Sequence, residues 1–250
     1  MDDDNQLPSL RGVQFTETIL SAESKVTPYR HFEIPPSQDS EPPLGPLALL
    51  SFLSPTSSVI NNSGSYLRDT LTAHFNTGIF LHAKEKGALY PVIHFTEDRN
   101  ALKKRLSGED TLGNEFLLYQ GVYREVRSIR PEGVILNGHR SSVESTAYIV
   151  MGFKSLDKNF SQNVMVDSWK EWTGARNIYM NLPDELGLSR ISFYHREAPD
   201  SLNMFLYVVL VECTSVDTIE HQMKLIDFAQ RLRAERMTAC VTVYGVTLVD

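Results

Sequence analysis

The feature that most constrains this 250-residue chain is the order of apolar segments in its C-terminal part. Continuous apolar runs and strict alternation are typical of strands, whereas apolar residues that return every three or four positions are typical of helices. The motif Thr214-x-x-Asp217 matches a capping box, in which side chains satisfy the free amides at a helix start. The pattern predicts strands at Ala147–Phe153, Leu188–Glu197, Met204–Val211 and Met237–Val249, with helical spacing from Val164 to Leu182 and from Ile219 to Leu232.

This β-α-β-β-α-β order is the split, ferredoxin-like arrangement. The N-terminal part repeats it loosely, since Asp69-Thr70-Leu71 parallels Asp167-Ser168-Trp169 at a similar distance from a following strand. We therefore predict an α+β chain of two ferredoxin-like βαββαβ halves that pack their sheets face to face around a cavity. The predicted organisation is a disordered tail at 1–10, an N-terminal half at 11–132 and a C-terminal half at 146–250.

The N-terminal half has less regular signals, because prolines and glycines interrupt it. The segment from Pro35 to Pro46 holds five prolines and is typical of an extended connector, and Gly133–Ser145 is typical of a boundary between halves. The apolar patterns predict strands at Gly12–Leu20, Leu47–Leu53, Leu89–Thr96 and Glu115–Ile129, and helices at Tyr66–Lys84 and Asn100–Leu106.

Composition excludes several classes of protein. A formal net charge of −7 argues against a nucleic-acid partner, because neutralising phosphates takes a basic surface. The run Met204–Val211 is too short to cross a bilayer, and the acidic start is unlike a signal peptide, so we expect a cytoplasmic protein without membrane contact. Cys213 and Cys240 lie inside apolar runs, which favours buried thiols over a disulfide or a thiolate metal site. Phosphate-binding, zinc-protease and α/β-hydrolase motifs are missing.

The segment Asp167-Ser168-Trp169-Lys170-Glu171-Trp172, followed by Leu186-Gly187-Leu188-Ser189-Arg190 and then Phe193-Tyr194, resembles the dimeric α/β-barrel superfamily. The resemblance is to its duplicated, EthD-like fungal proteins, although Trp172 and Thr173 stand where that family has a Glu-His pair. It implies a pseudo-dimeric α/β barrel and a place in secondary metabolism. Members of the superfamily act as cofactor-free cyclases, isomerases, decarboxylases or monooxygenases on small aromatic or polyketide-like molecules, and others bind haem.

Strand alternation indicates which side chains would line the barrel cavity. On Leu89–Thr96, the mixed face carries Tyr90 and His94; on Leu188–Glu197, it carries Arg190 and Tyr194. We predict His94 as a general base, Tyr90 and Tyr194 as hydrogen-bond donors, and Arg190 as the partner of a phenolate or carboxylate. Tyr119 and Tyr123, which share a face with Glu125, are predicted to bind substrate. The alternative is that these faces are exposed to solvent or lie between packed layers.

Three hypotheses follow for function. The first is a cofactor-independent cyclase, isomerase or lyase that works on an aromatic or polyketide-like metabolite by acid–base catalysis, with no bound metal. The second is a haem protein with His74, His82 or His94 as the axial ligand. The third is a binding or scaffold protein without chemistry, which a cavity well below roughly 300 Å³ would favour. In each case we expect a small-molecule partner and allow for a homodimer.

Overall fold

The structure is a computed structural model. It describes residues 45–56, 71, 73–75, 77–106, 116–131, 145–154, 162–199, 201–236 and 238–248, which all lie in one compact unit, Glu41–Asp250. The tail at 1–10, the strand at 12–20, the connector up to residue 44 and the boundary segment 133–144 lie outside the described residues, and the division into an N-terminal and a C-terminal half stays a prediction.

Eight antiparallel strands close into a barrel in the order β1-β3-β2-β8-β5-β7-β6-β4. The strand order within the run β4-β1-β3-β2 is the same as within β8-β5-β7-β6. This closed barrel confirms the predicted α/β-barrel architecture at the level of the fold class, while the duplication of ferredoxin-like halves stays a prediction. The strands are β1 (Leu47–Pro55), β2 (Ile79–Ala83), β3 (Val92–Thr96), β4 (Phe116–Ile129), β5 (Ala147–Phe153), β6 (Leu188–Ala198), β7 (Tyr207–Cys213) and β8 (Ala239–Leu248).

The helices lie outside the barrel, and among the described residues none is both long and apolar enough to cross a membrane. The last one begins after Thr218, whose hydroxyl accepts a hydrogen bond from the His221 amide at 3.0 Å. The predicted capping role of Thr214 is wrong, because its hydroxyl instead donates to the Gly187 carbonyl at 3.1 Å. The helices are α1 (Arg99–Leu106), α2 (Gln162–Asp167), α3 (Trp169–Trp172), α4 (Ala175–Asn181) and α5 (Ile219–Glu235), with a 3₁₀ turn at Asp184–Leu186.

The predicted helix Tyr66–Lys84 is wrong in its second half, where β2 runs instead. A short helical turn includes Leu71, Ala73 and His74. It ends at Phe75, whose amide donates a hydrogen bond to the Leu71 carbonyl at 2.8 Å. Gly78 separates the two elements with φ 102°, a left-handed conformation that favours glycine. A Cβ there would lie 2.4 Å from the Phe95 carbonyl oxygen, so the chain can turn into β2 this close to β3 only with glycine.

Two apolar layers fix the direction of the side chains on the strands. The outer face of β5–β8 packs on the helices; there Trp169 of α3 stacks on Phe193 with ring centroids 5.2 Å apart and planes at 8°. Burying such aromatic side chains contributes about 1.5–3 kcal/mol each. The barrel interior is filled by a second cluster made of alternate residues of all eight strands and of Tyr90 and Phe205: Ala48, Leu50, Phe52, Leu81, Tyr90, Ile93, Tyr123, Val150, Tyr194, Phe205, Val208, Leu210 and Tyr244, with partly buried neighbours that include Cys240 and Val246.

Candidate functional site at the barrel mouth

The barrel interior opens at one end into a small cavity of about 80 Å³. Its walls come from the ends of β3 and β7 and from the starts of β2, β5 and β6, which the antiparallel order brings to the same end of the barrel. We call this end the barrel mouth. Its lining consists of Ile79, Leu81, Phe95, Glu97, Tyr148, Arg190, Ser192, Tyr194, Leu210 and Glu212.

An ion pair lies at the barrel mouth. Arg190 Nη2 is 2.5 Å from both carboxylate oxygens of Glu125, which projects inward from the adjacent strand β4. The Glu125 side chain is 8% exposed and that of Arg190 28%. Burial alone would lower the pKa of Arg190, but its hydrogen bond and charge attraction to Glu125 raise the pKa above the usual value. Arg190 is therefore a fixed cation whose charge Glu125 already neutralises, and its predicted pairing with a substrate carboxylate or phenolate stays a prediction.

Two tyrosines border the same cavity. Tyr194 is buried, and its hydroxyl lies 3.4 Å from Glu125 Oε2. Burial raises the pKa of Tyr194, and the nearby carboxylates of Glu125 and Glu97 raise it further. The pKa of Tyr148 is raised in the same direction, first by burial and then by Glu212. Both phenols therefore stay protonated at neutral pH, and they can donate hydrogen bonds but not act as bases.

Two further polar groups face the cavity. Glu212 is half-buried on β7 and Glu97 is exposed at the end of β3, and these strands stand on opposite sides of the closed sheet. Among the described residues, neither carboxylate has an ion pair or hydrogen bond. Arg190 Nε is buried and has no hydrogen-bond partner in the described part of the chain. The barrel mouth thus offers proton acceptors on either side of the opening and one N–H donor for an incoming oxygen.

Tyr90, Tyr119 and Tyr123 lie together, away from the barrel mouth. They belong to an aromatic cluster around Phe205, which precedes β7 and fills the opposite end of the barrel. The Tyr123 hydroxyl donates to the Phe205 carbonyl at 2.8 Å, while the Tyr90 carbonyl accepts from the Tyr244 hydroxyl at 2.8 Å. These three tyrosines close one end of the barrel and do not line the cavity.

His94 does not face the barrel interior. Its neighbours on β3, Ile93 and Phe95, point inward, so His94 lies on the outer face with 1% of its surface exposed. There its ring stacks on Phe75 with centroids 4.3 Å apart, and its Nε2 lies 2.7 Å from the Thr77 carbonyl oxygen. The strand phase expected for His94 is wrong, and the structure brings only Arg190 and Tyr194 of the predicted catalytic set together.

His94 instead contributes to a groove of about 440 Å³ on the outer surface, between α1 and the helical turn at 71–75. Asp98 caps α1 there by accepting from the Ala101 amide at 2.9 Å, and His74 and Lys104 line the same groove. In the described residues, no group of three or more histidine, cysteine, aspartate or glutamate side chains is placed to hold a metal ion. The groove therefore gives no support to a metal site at His74 and His94.

The solved structures that resemble this chain are distant from it in sequence. An anthrone oxidase-like protein has a TM-score of 0.51 at 10% identity, over 80% of this chain and 90% of its own. A mutant chlorite dismutase from Candidatus Nitrospira defluvii has a TM-score of 0.40 at 12% identity, over 82% of this chain and 92% of its own. No curated protein matches the sequence significantly. The first likeness supports the α/β-barrel fold, while the EthD-like relation stays a prediction.

The expectation that this protein uses no cofactor is contradicted, because the solved structures that resemble this chain include chlorite dismutases, which are haem-dependent. The described barrel interior nevertheless does not fit haem. The cavity holds about 80 Å³, against roughly 300 Å³ or more for ordinary organic ligands. Nor does a described histidine belong to the interior cluster: the axial candidates His82 and His94 lie on the outer face, and His74 lies in the helical turn.

One comparison covers most of the sequence. Residues 75–246 match the model of a family described as a domain of unknown function, DUF7153. The match includes β2 to β7, most of β8 and every element that lines the barrel mouth; it leaves out β1 with the segments before Phe75, and residues 247–250. The chain belongs to the DUF7153 family.

Proposed function

We propose that the barrel mouth is the active site of an enzyme that transfers protons on a small molecule. One observation carries the proposal. The barrel interior is otherwise apolar and aromatic, yet four polar side chains point into it at the barrel mouth, those of Arg190, Glu125, Tyr194 and Glu212. Desolvating charged groups is costly, and such groups cluster at functional sites because chemistry needs them there. The mixed apolar and polar walls are also typical of small-molecule sites.

The chemistry assigns a role to each group. Glu212, half-buried and without a partner among the described residues, is the general base. The Tyr148 and Tyr194 hydroxyls, held protonated by burial, and the free N–H of Arg190 stabilise the negative charge that grows on a substrate oxygen as the proton leaves carbon. Glu125 is a positioning residue, since it holds Arg190 in place by two contacts of 2.5 Å.

The size of the cavity limits the substrate. An engineered apolar cavity of about 150 Å³ binds benzene, whereas the cavity at the barrel mouth holds about 80 Å³. An aromatic or polyketide-like substrate would therefore insert one carbonyl-bearing end and keep its rings at the rim. Among the activities predicted from the sequence, isomerase or lyase chemistry at one carbonyl fits this arrangement better than cyclisation of a whole chain within the barrel.

The proposal is tested by following hydrogen–deuterium exchange at carbon in heavy water, by NMR, for a panel of small ketones, keto acids and amino ketones. We expect the protein to accelerate exchange of at least one compound and Glu212→Gln to lower the rate by about 10²–10⁴-fold, the usual contribution of a positioned base. Glu171→Gln, a matched change on the exposed surface of α3, should have no effect. Equal rates in Glu212→Gln and the unchanged protein would refute the assignment.

A binding protein without chemistry is the second candidate, because a cavity of about 80 Å³ is smaller than the usual ligand pocket. In that case the panel compounds would shift NMR signals of barrel-mouth residues, but none would exchange faster than in buffer. The EthD-like relation, the duplicated halves, the cytoplasmic location and a homodimer also belong to our proposal; sedimentation analysis tests the last of these.

A further inference from the structure

The charges at the barrel mouth favour one class of ligand. Glu97, Glu125 and Glu212 stand against a single cation, Arg190, so the site has a formal excess of two negative charges. The positive charge of Arg190 and the negative charge of Glu125 cancel each other. The net negative charge is therefore carried by Glu97 and Glu212, which lie on opposite sides of the opening. Because field lines concentrate in a narrow opening with apolar walls, the remaining charge repels anions and attracts cations.

The walls between the two carboxylates are aromatic. Phe95 and Tyr194 meet edge to face, with ring centroids 6.1 Å apart, and Tyr148 borders the same cavity. Aromatic faces attract organic cations through the ring quadrupole, and this attraction grows when the cation loses water. Aromatic rings flanked by carboxylates are the chemistry that recognises an ammonium group, whereas a bare metal ion would gain little from ring faces.

We infer that the ligand of the barrel mouth is a small organic ammonium compound; this inference rests on the proposed function and narrows its substrate class to amino carbonyl compounds. The ammonium group lies at the rim between the Glu97 carboxylate and the Phe95 ring. The carbonyl oxygen points inward to the N–H of Arg190 and the Tyr194 hydroxyl. The space of about 80 Å³ suits a short chain that joins these two groups.

The experiment is an NMR titration of the full, isotope-labelled chain with three probes of equal carbon skeleton: propylammonium, 1-propanol and propionate. We expect propylammonium to shift the amide signals of barrel-mouth residues such as Ser192 and Leu210 and to bind about tenfold more tightly than propanol, as one charge-assisted contact provides. Propionate should not bind there. Raising the salt concentration should weaken propylammonium binding, because Glu97 is exposed to solvent.

Glu97→Gln is expected to lower the propylammonium affinity about three- to tenfold, and because its side chain is exposed the fold should be unaffected. The matched control Glu171→Gln should leave the affinity unchanged. Propionate or propanol binding at the barrel mouth at least as tightly as propylammonium would overturn the charge inference and leave the site itself in place. Absence of shifts at the barrel mouth with all three probes would overturn both the inference and the proposed function.

Discussion

Replacing His94 by alanine is expected to weaken the fold, because this side chain is part of the outer packing of β3. Its ring is stacked on Phe75 at 4.3 Å and contacts Phe80 at 5.2 Å, and its Nε2 hydrogen-bonds to the Thr77 carbonyl. Alanine removes all three interactions at a position that is 1% exposed. Since the surrounding layer cannot collapse fully onto the smaller side chain, a cavity would remain.

The magnitude follows from these contacts. Two aromatic pairs contribute about 1 kcal/mol each beyond area burial, and the hydrogen bond adds about 1 kcal/mol. These contacts sum to about 3 kcal/mol, and the loss of burial and the remaining cavity add to it, so the expected loss is a large share of the roughly 5–15 kcal/mol that stabilises a typical domain. His94→Phe keeps the stacking and loses only the hydrogen bond, so it should cost about 1 kcal/mol.

The measurement is urea unfolding followed by tryptophan fluorescence, with His221→Ala as a matched control. His221 lies in the first turn of α5 with its side chain partly exposed, and its Nδ1 lies 2.7 Å from the Ser215 carbonyl oxygen. Its removal should therefore cost about 1 kcal/mol, well below the loss at His94. If His94→Ala unfolded at the same urea concentration as the unchanged protein, the outer packing of β3 would be incorrect. If His94→Ala also lost ligand binding at the barrel mouth, the His94 side chain would have to point into the barrel, as predicted from the sequence.

Three further outcomes are expected. Gly152→Ala should destabilise the fold by about 1–3 kcal/mol, because a Cβ there would lie 2.4–2.5 Å from the Phe205 ring. Thermal melting should show this loss of stability, and adding Phe205→Leu to the same chain should make the loss smaller. Burial raises the pKa of the Cys213 thiol to about 12 and also raises that of Cys240. A disulfide reagent at neutral pH should therefore modify both thiols rapidly only in denaturant. Rapid modification of Cys213 in the native protein would contradict its burial. Burial raises the pKa of several phenols, among them those of Tyr123, Tyr148, Tyr194 and Tyr244. Their protonated forms stabilise the fold fully below about pH 10, and this contribution is lost as the pH rises further, so tyrosinate absorbance should appear together with unfolding. Titration of all tyrosines near pH 10 in a folded protein would contradict the burial of these four.

The sequence predicted best those elements whose burial is one-sided or continuous. Strand β5 was predicted with its exact bounds, because Ala147–Phe153 is apolar throughout and its flanking residues are polar. The strand predicted at Met204–Val211 begins three residues later, at Tyr207. Met204 and Phe205 are buried in the loop that closes the barrel, so their apolar character reflects burial and not strand structure.

The strand phase of β3 could not be read from alternation, because both of its faces are covered. Ile93 and Phe95 pack in the interior, while Val92 and His94 pack on the outer layer. A sheet with one face in water would show polar residues on that face, but a closed barrel wrapped by other elements removes this signal. Arg190 and Tyr194 were found because β6 keeps polar residues on its inner face near the barrel mouth.

The rest of the site was missed because it depends on barrel closure. Glu97, Tyr148 and Glu212 come from the ends of β3, β5 and β7, which are far apart in the chain and meet only when the sheet closes. No spacing in the sequence links them. Glu125, the partner of Arg190, gave a weak signal because it shares a face with Tyr119 and Tyr123. Those two tyrosines lie in the aromatic cluster around Phe205 and not at the barrel mouth.

The interior of the barrel shows why the two ends differ. At the closed end, Phe205 and its aromatic neighbours fill the space and bury few polar groups, and the Tyr123 hydroxyl donates a hydrogen bond to a backbone carbonyl. At the barrel mouth, the same strands carry a half-buried ion pair and carboxylates without partners among the described residues. Replacing such a pair with apolar side chains of similar volume is often neutral or stabilising. Since packing alone would be satisfied by apolar residues at both ends, the charged groups at the barrel mouth support the proposed binding site there.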